Sequence, residues 1–338
     1  MTRFTLYPCS KLKDDKATNP YIRDFVAAIN AYPDAKVINA PHKNPLLSIL
    51  PMNKWGDVII FNWYESIPDL KYGLLQASAA IVYLCLLKVA RKKIVWILHN
   101  HVPHASKYLG LKKFLMSYIA RFSDLIITHA TEGLELVRND YPSAESKAYY
   151  LDHPTKNRLD LCKRTEKQYD LLIWGHISRY KGVLEFVECV RNNHWDDLRI
   201  CIVGKCASSD LYEEIQEKAT NNVTLINDSP SFEALANYMD ASHFVLAPYI
   251  PESVLSSGML MDSLSYGVKV IGPNVGSFKD YASNRQLNVY TFNNLTDIYP
   301  LVLKYRKDIV QTKEYADFLD THQWKDFIKE LMKLLPRK

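Results

Sequence analysis

The sequence predicts an α/β protein of two parallel-sheet domains facing a cleft. Three observations carry that expectation. The chain has 338 residues, about two ordinary domains' worth. Short aliphatic runs alternate with longer helical periods along most of it. A single polar, highly charged stretch near the middle interrupts the alternation, which then resumes.

The elements follow in order. The runs FTLY (4–7), KVIN (36–39), DVIIFN (57–62), KIVWIL (93–98), DLIITH (124–129) and AYYL (148–151) read as strands. Helical patterns fall at about 20–31, near 46–50, up to Val89, and at about 107–121 and 131–139. Residues 155–168 (TKNRLDLCKRTEKQ) hold no sustained period and read as a linker. The second series has strands at YDLLIW (169–174), RICIV (199–203), VTLI (223–226), HFVLA (243–247) and VKVIG (268–272). Helices at about 182–192, 208–220, 231–240 and 257–266 separate them. The expected division is a Rossmann-like domain over 1–155, a linker over 156–168 and a second Rossmann-like domain over 169–320. A tail, 321–338, holds an amphipathic helix around Trp324–Leu335, placed to cross back to the first domain.

Composition narrows the class. At 48% hydrophobic and 23% charged, the chain is neither disordered nor collagen-like. Six cysteines show no Cys-x-x-Cys spacing, so reduced, mostly buried thiols and a cytoplasmic setting are expected. The N-terminus has no signal-peptide core. The longest apolar run, Ala77–Leu87, is too short for a membrane span. A net charge of +5 allows a phosphate-bearing ligand without requiring one.

In open α/β sheets, ligands bind beyond the carboxyl ends of the strands. After YDLLIW comes GHISRYKG (175–182), where Gly175 frees the turn and Arg179 and Lys181 bring two cations to the next helix. The motif suits a phosphate cradle, and equally a solvated basic turn. In SSGMLMDSLSYGVKVIGP (256–273), Ser256, Ser257 and Gly258 open a helix whose free amides suit a diphosphate. Asp262 lies one turn beyond Gly258, where a carboxylate can accept from ribose hydroxyls. An N-capped core helix explains Met259, Met261 and Leu264 better than it explains Asp262. No G-x-G-x-x-G follows a strand, which argues against a dinucleotide enzyme.

These two motifs, in this order and separation, resemble the donor half of the GT-B glycosyltransferases, most closely the group 1, or family 4, enzymes. The resemblance implies a metal-independent hexosyltransferase. It would move sugar from a nucleotide-diphosphate sugar to a saccharide or lipid-linked acceptor, with retention of configuration, in surface polysaccharide or glycolipid synthesis. It implies no cofactor and no nucleic-acid partner. Lys181 matches the lysine that holds the donor diphosphate, joined by Arg179. Gly175, His176, Ser256, Ser257, Gly258 and Met259 match the donor loops, and Asp262 matches the acid that holds the ribose. His176 replaces the usual arginine, and Val254 stands where the first acid of the family's acidic pair belongs. An inactive GT-B binding partner and a GT-B sugar-nucleotide epimerase are the alternatives.

On the other side, HNHVPH (99–104) follows KIVWIL. The resemblance places His99 near the transferred sugar as a catalytic residue, with Asn100 and His104 lining the cleft. Asn19, Tyr21, Asn62, Trp63 and His129 complete the expected acceptor side. Aromatics beside amides suit a sugar, which offers both C–H faces and hydroxyls. Finally, residues 106–124 alternate Lys107, Lys112, Lys113 and Arg121 with Leu109, Phe114, Leu115 and Tyr118. This pattern reads as a core helix with a solvated basic face, or as a peripheral contact with an anionic membrane on its cytoplasmic side.

Overall fold

The computed structural model describes residues 1–9, 20–50, 55–101, 107–163, 165–284 and 287–335. Two six-stranded sheets, all parallel among the described residues, organise the chain. The first holds β1 (Thr2–Tyr7), β2 (Ala35–Val37), β3 (Val58–Asn62), β4 (Lys93–Leu98), β5 (Leu125–Thr128) and β6 (Ala148–Tyr150). Their spatial order is β2-β1-β3-β4-β5-β6. The second holds β7 (Tyr169–Trp174), β8 (Ile200–Val203), β9 (Val223–Ile226), β10 (Ser242–Leu246), β11 (Lys269–Pro273) and β12 (Val289–Phe292). Its order is β12-β11-β10-β7-β8-β9, the Rossmann arrangement. The molecule is α/β, with two Rossmann-like domains.

Each sheet is covered on both faces. In the first domain, α1 (Tyr21–Ala31), α2 (Gly73–Val89), α3 (Leu109–Phe122) and α4 (Thr131–Asp140) flank it. In the second, α5 (Val183–Asn192), α6 (Ser209–Lys218), α7 (Phe232–Asp240) and α8 (Gly258–Leu264) fall between strands. Strands buried on both faces read as continuous apolar runs rather than alternating ones. Every residue of β3 and β8 is buried accordingly.

Four elements after β11 have no counterpart in the sequence reading. They are α9 (Gly276–Ala282), β12, α10 (Ile298–Tyr305) and α11 (Thr312–Thr321). β12 is an edge strand whose two middle residues are only half-buried, so it lacks the unbroken apolar signature of a central strand.

The last helix, α12 (Trp324–Leu334), leaves the second domain and packs on the first. Phe327, Ile328 and Leu331 are buried at helical spacing. The ring of Phe327 meets Phe25 of α1 edge-on at 5.4 Å, and Trp324 meets Tyr21 at 5.1 Å. The amide of Thr155 donates to the His322 carbonyl at 2.8 Å, fastening the chain's two passages between domains together.

Phe327→Ala empties a buried ring site, and such losses cost about 3–5 kcal/mol. The urea midpoint should fall by a matching amount, while α12 truncation at Gln323 should destabilise the first domain rather than the second. Unfolding followed by tryptophan fluorescence checks both.

Candidate functional site

The carboxyl ends of both sheets face one another across a cavity of about 520 Å³. Tyr21, Trp63, His99, Asn100 and His153 line it from the first domain. Gly175, His176, Lys181, Ser256, Ser257, Gly258, Met259 and Asp262 line it from the second, with Tyr180, Lys205, Phe232 and Tyr249. Asn19 and His104 lie outside the described residues.

The cation of the second domain is Lys181. It sits in the tight turn before α5, where Gly182 has a φ of +66°. A Cβ on Gly182 would lie 1.9 Å from the Pro248 carbonyl oxygen, so only glycine lets this turn press on the loop after β10. The Lys181 ammonium stands 5.5 Å from the Tyr249 ring. No carboxylate pairs with it among the described residues, and burial lowers its pKa. A desolvated ammonium without a counter-charge is a costly group that an anion would stabilise.

Arg179 does not join it. Its guanidinium is exposed and grips Glu214 of α6 through two bonds, at 3.0 and 2.5 Å. The two residues are 35 positions apart, so sequence spacing gave no sign of the pair. Lys205, in the loop after β8, lines the cavity instead.

The serine loop is also arranged differently from expectation. Ser256 donates both its amide (3.2 Å) and its hydroxyl (3.3 Å) to the His99 carbonyl across the domain boundary. The Ser257 hydroxyl caps α8 by accepting from the Leu260 amide at 3.2 Å. Asp262 accepts from Arg158 of the linker at 3.0 Å. Burial raises its pKa, and Arg158 works against that rise. Arg158 lies over the Phe232 ring at 4.2 Å.

On the first domain, two expected lining residues stand one layer back. Asn62 is fully buried; it accepts from His99 Nε2 at 3.0 Å and donates to the Tyr7 carbonyl at 3.1 Å. His129 is fully buried behind Tyr21, whose hydroxyl it meets at 3.0 Å, while its Nδ1 donates to the Leu151 carbonyl at 2.8 Å. Thr131 and Glu132, other strand-end residues, bond to Asp280 and the Gly276 amide at α9.

These partners set the tautomers. Asn62 Oδ1 only accepts, so His99 carries its proton on Nε2. Trp63 stacks on that imidazole at 4.6 Å and 20°. His153, which belongs to none of the sequence motifs, donates from Nδ1 to the Pro154 carbonyl at 2.9 Å. Its Nε2 is therefore a lone-pair acceptor, and it lies 3.9 Å from where a Cβ on Gly258 would stand. His153 follows a three-residue edge strand and precedes a proline, a context with no local signal of function. Asn100 donates to the buried carboxyl of Glu65 at 2.9 Å, and burial raises that carboxyl's pKa. Among the described residues no group of three or more His, Cys, Asp or Glu side chains could hold a metal ion.

Residues 168–296 match the family model for Glycosyl transferases group 1. The chain has the GT-B fold, and its second domain resembles the group 1 glycosyl transferases. HepE from Anabaena, solved with UDP and glucose, superposes on this GT-B chain with a TM-score of 0.67 at 11% identity, covering 99% of each chain. A glycosyltransferase from Rickettsia africae gives 0.64 at 12% identity, covering 99% of this chain and 97% of its own. TarM of S. aureus gives 0.58 at 12% identity over 83% of this chain, which spans only 55% of TarM's length. No curated protein sequence matches this GT-B chain.

The histidine cluster makes stability depend on pH. Burial lowers the pKa of His99 and His153 well below the ordinary value, and that of His129 to about 4. In the unfolded chain each protonates near pH 6.5. The folded form binds fewer protons, so stability is full above about pH 6.5 and falls as pH drops towards about 4. The loss is up to about 1.4 kcal/mol per pH unit per histidine. Melting temperature measured from pH 8 to pH 5 should decline, and less steeply in His153→Gln.

Proposed function

We propose that this GT-B protein is a glycosyltransferase acting on a nucleotide-diphosphate sugar, with a saccharide or lipid-linked acceptor. The observation that carries the reading is Lys181, an ammonium with no carboxylate partner among the described residues, lining a cleft built by the carboxyl ends of two parallel sheets. A diphosphate leaving group develops negative charge as the glycosidic bond breaks, and a pre-positioned cation stabilises it most at that moment. α8 has only seven residues, so its dipole adds little and the lysine carries most of the effect. HepE, a neighbour of the same fold, was solved with UDP and glucose, and UDP-sugars are the first donors to try.

His99 and His153 face the region between diphosphate and acceptor. His153 Nε2 can accept from a sugar hydroxyl, and Trp63 and Tyr21 supply apolar faces for a ring. Asp262, held by Arg158, keeps one oxygen without a hydrogen bond among the described residues, available to a ribose. It is also the only carboxylate among the described residues that line the cleft. A covalent carboxylate intermediate therefore has no evident nucleophile there. The reading that fits is retention by front-side attack, with the departing diphosphate taking the acceptor's proton. Product in surface polysaccharide or glycolipid synthesis accords with such acceptors.

Lys181→Ala should weaken UDP binding about tenfold to a hundredfold, the loss of one charge-assisted contact. Calorimetry with the folded variant measures it, and unchanged affinity would remove Lys181 from the diphosphate site. Transfer from a UDP-sugar should persist in EDTA if lysine replaces a divalent ion. Activity abolished by chelation and restored by magnesium would overturn that part of the reading.

A further inference from the structure

α2 is apolar on two opposite faces. Ala77, Ala80, Leu84 and Leu87 point into the core of the first domain. At 100° per residue, the outward residues fall within an arc of about 120° on the other side. Among them Leu75, Val82 and Val89 are 74%, 57% and 82% exposed, and Leu74 and Leu86 are about half exposed. A monomer rarely leaves so long an apolar stripe in water. α3 extends it: Tyr118 bonds to Cys85 of α2, and the exposed ring of Phe114 stacks on Tyr118 at 5.6 Å.

Charge identifies the partner. Between Asp69 and Asp124 the sequence holds no acidic residue and nine lysines and arginines. Lys112, expected on the solvated basic face of α3, is instead buried and paired with Asp69 at 2.7 Å. The exposed cations are Lys71, Arg91, Lys107, Lys113 and Arg121, at the ends of α2 and along α3. An apolar stripe edged by five exposed cations complements an anionic lipid surface. A second copy of this chain fits poorly, because symmetric pairing would bring these cations together, and the acids beside them, Asp69 and Asp124, are already paired with Lys112 and Lys88. No described helix is long and apolar enough to cross a membrane, so α2 would lie in the interface plane.

We propose that the outward face of α2, with Phe114 and the lysines of α3, docks this protein on an anionic bilayer. α2 and α3 begin in the loops that follow β3 and β4, the same loops that supply Trp63 and His99 to the cleft. Docking therefore sets the acceptor side of the cleft near the lipid surface. Binding itself does not depend on the transferase reading, although the link to a lipid-linked acceptor does.

Flotation of the full chain with phosphatidylcholine vesicles, with and without phosphatidylglycerol, tests the proposal without any activity assay. The expected result is capture by the anionic vesicles at low salt and release at high salt. Val82→Glu with Leu75→Glu should abolish capture, and Lys107→Glu with Lys113→Glu should weaken it at least about tenfold. All four positions are exposed, so melting curves should match the parent. Three results would overturn the proposal: no capture at any salt, equal capture by neutral vesicles, or a concentration-dependent dimer that Val82→Glu dissociates. UDP binding measured in parallel separates failure of docking from failure of the transferase reading.

Discussion

The cleft depends on the contact between Ser256 and the carbonyl of His99. One residue of the second domain donates twice to one backbone oxygen of the first. That oxygen follows β4, whose buried position fixes it, and Ser256 immediately precedes the cap of α8. The bond therefore sets the separation of the two sheets at the point where a ligand would sit. Arg158 acts alongside it: the linker inserts a guanidinium beneath α8 and pairs with Asp262. A buried carboxylate requires such a partner.

The two walls of the cleft differ electrically. The first domain presents neutral imidazoles, held neutral by burial and by partners that fix each ring proton. The second presents Lys181 and Lys205. An anionic group is thus drawn to one side and a polyhydroxylated group suits the other. That division needs both domains: the two lysines line the cleft from the second domain, where His176 stands beside them, and His99 and His153 line it from the first. The first domain's outer surface adds a third character, apolar and basic, on α2 and α3. The loops before them reach the cleft, where Trp63 follows β3 and His99 follows β4.

The elements legible in the sequence follow from short-range physics. Central parallel strands are apolar throughout because both faces are covered, so nearly all of them were legible as runs. The turn at Gly175–Gly182 and the serine loop were legible because backbone freedom and helix starts leave local marks. The edge strand β12 was not, since half-burial dilutes its pattern. Pairing was decided only by the tertiary structure. Arg179 looked like a phosphate ligand until Glu214 met it from α6. Lys112 looked solvated until Asp69 reached it from the loop before α2. Asn62 and His129 ended strands as expected, yet packing set them behind His99 and Tyr21. His153 entered the cleft with no local signal. Sequence periodicity reports which way a side chain faces within its own element. The partner on that side comes from a distant part of the chain, and a charged or polar group's role depends on that partner.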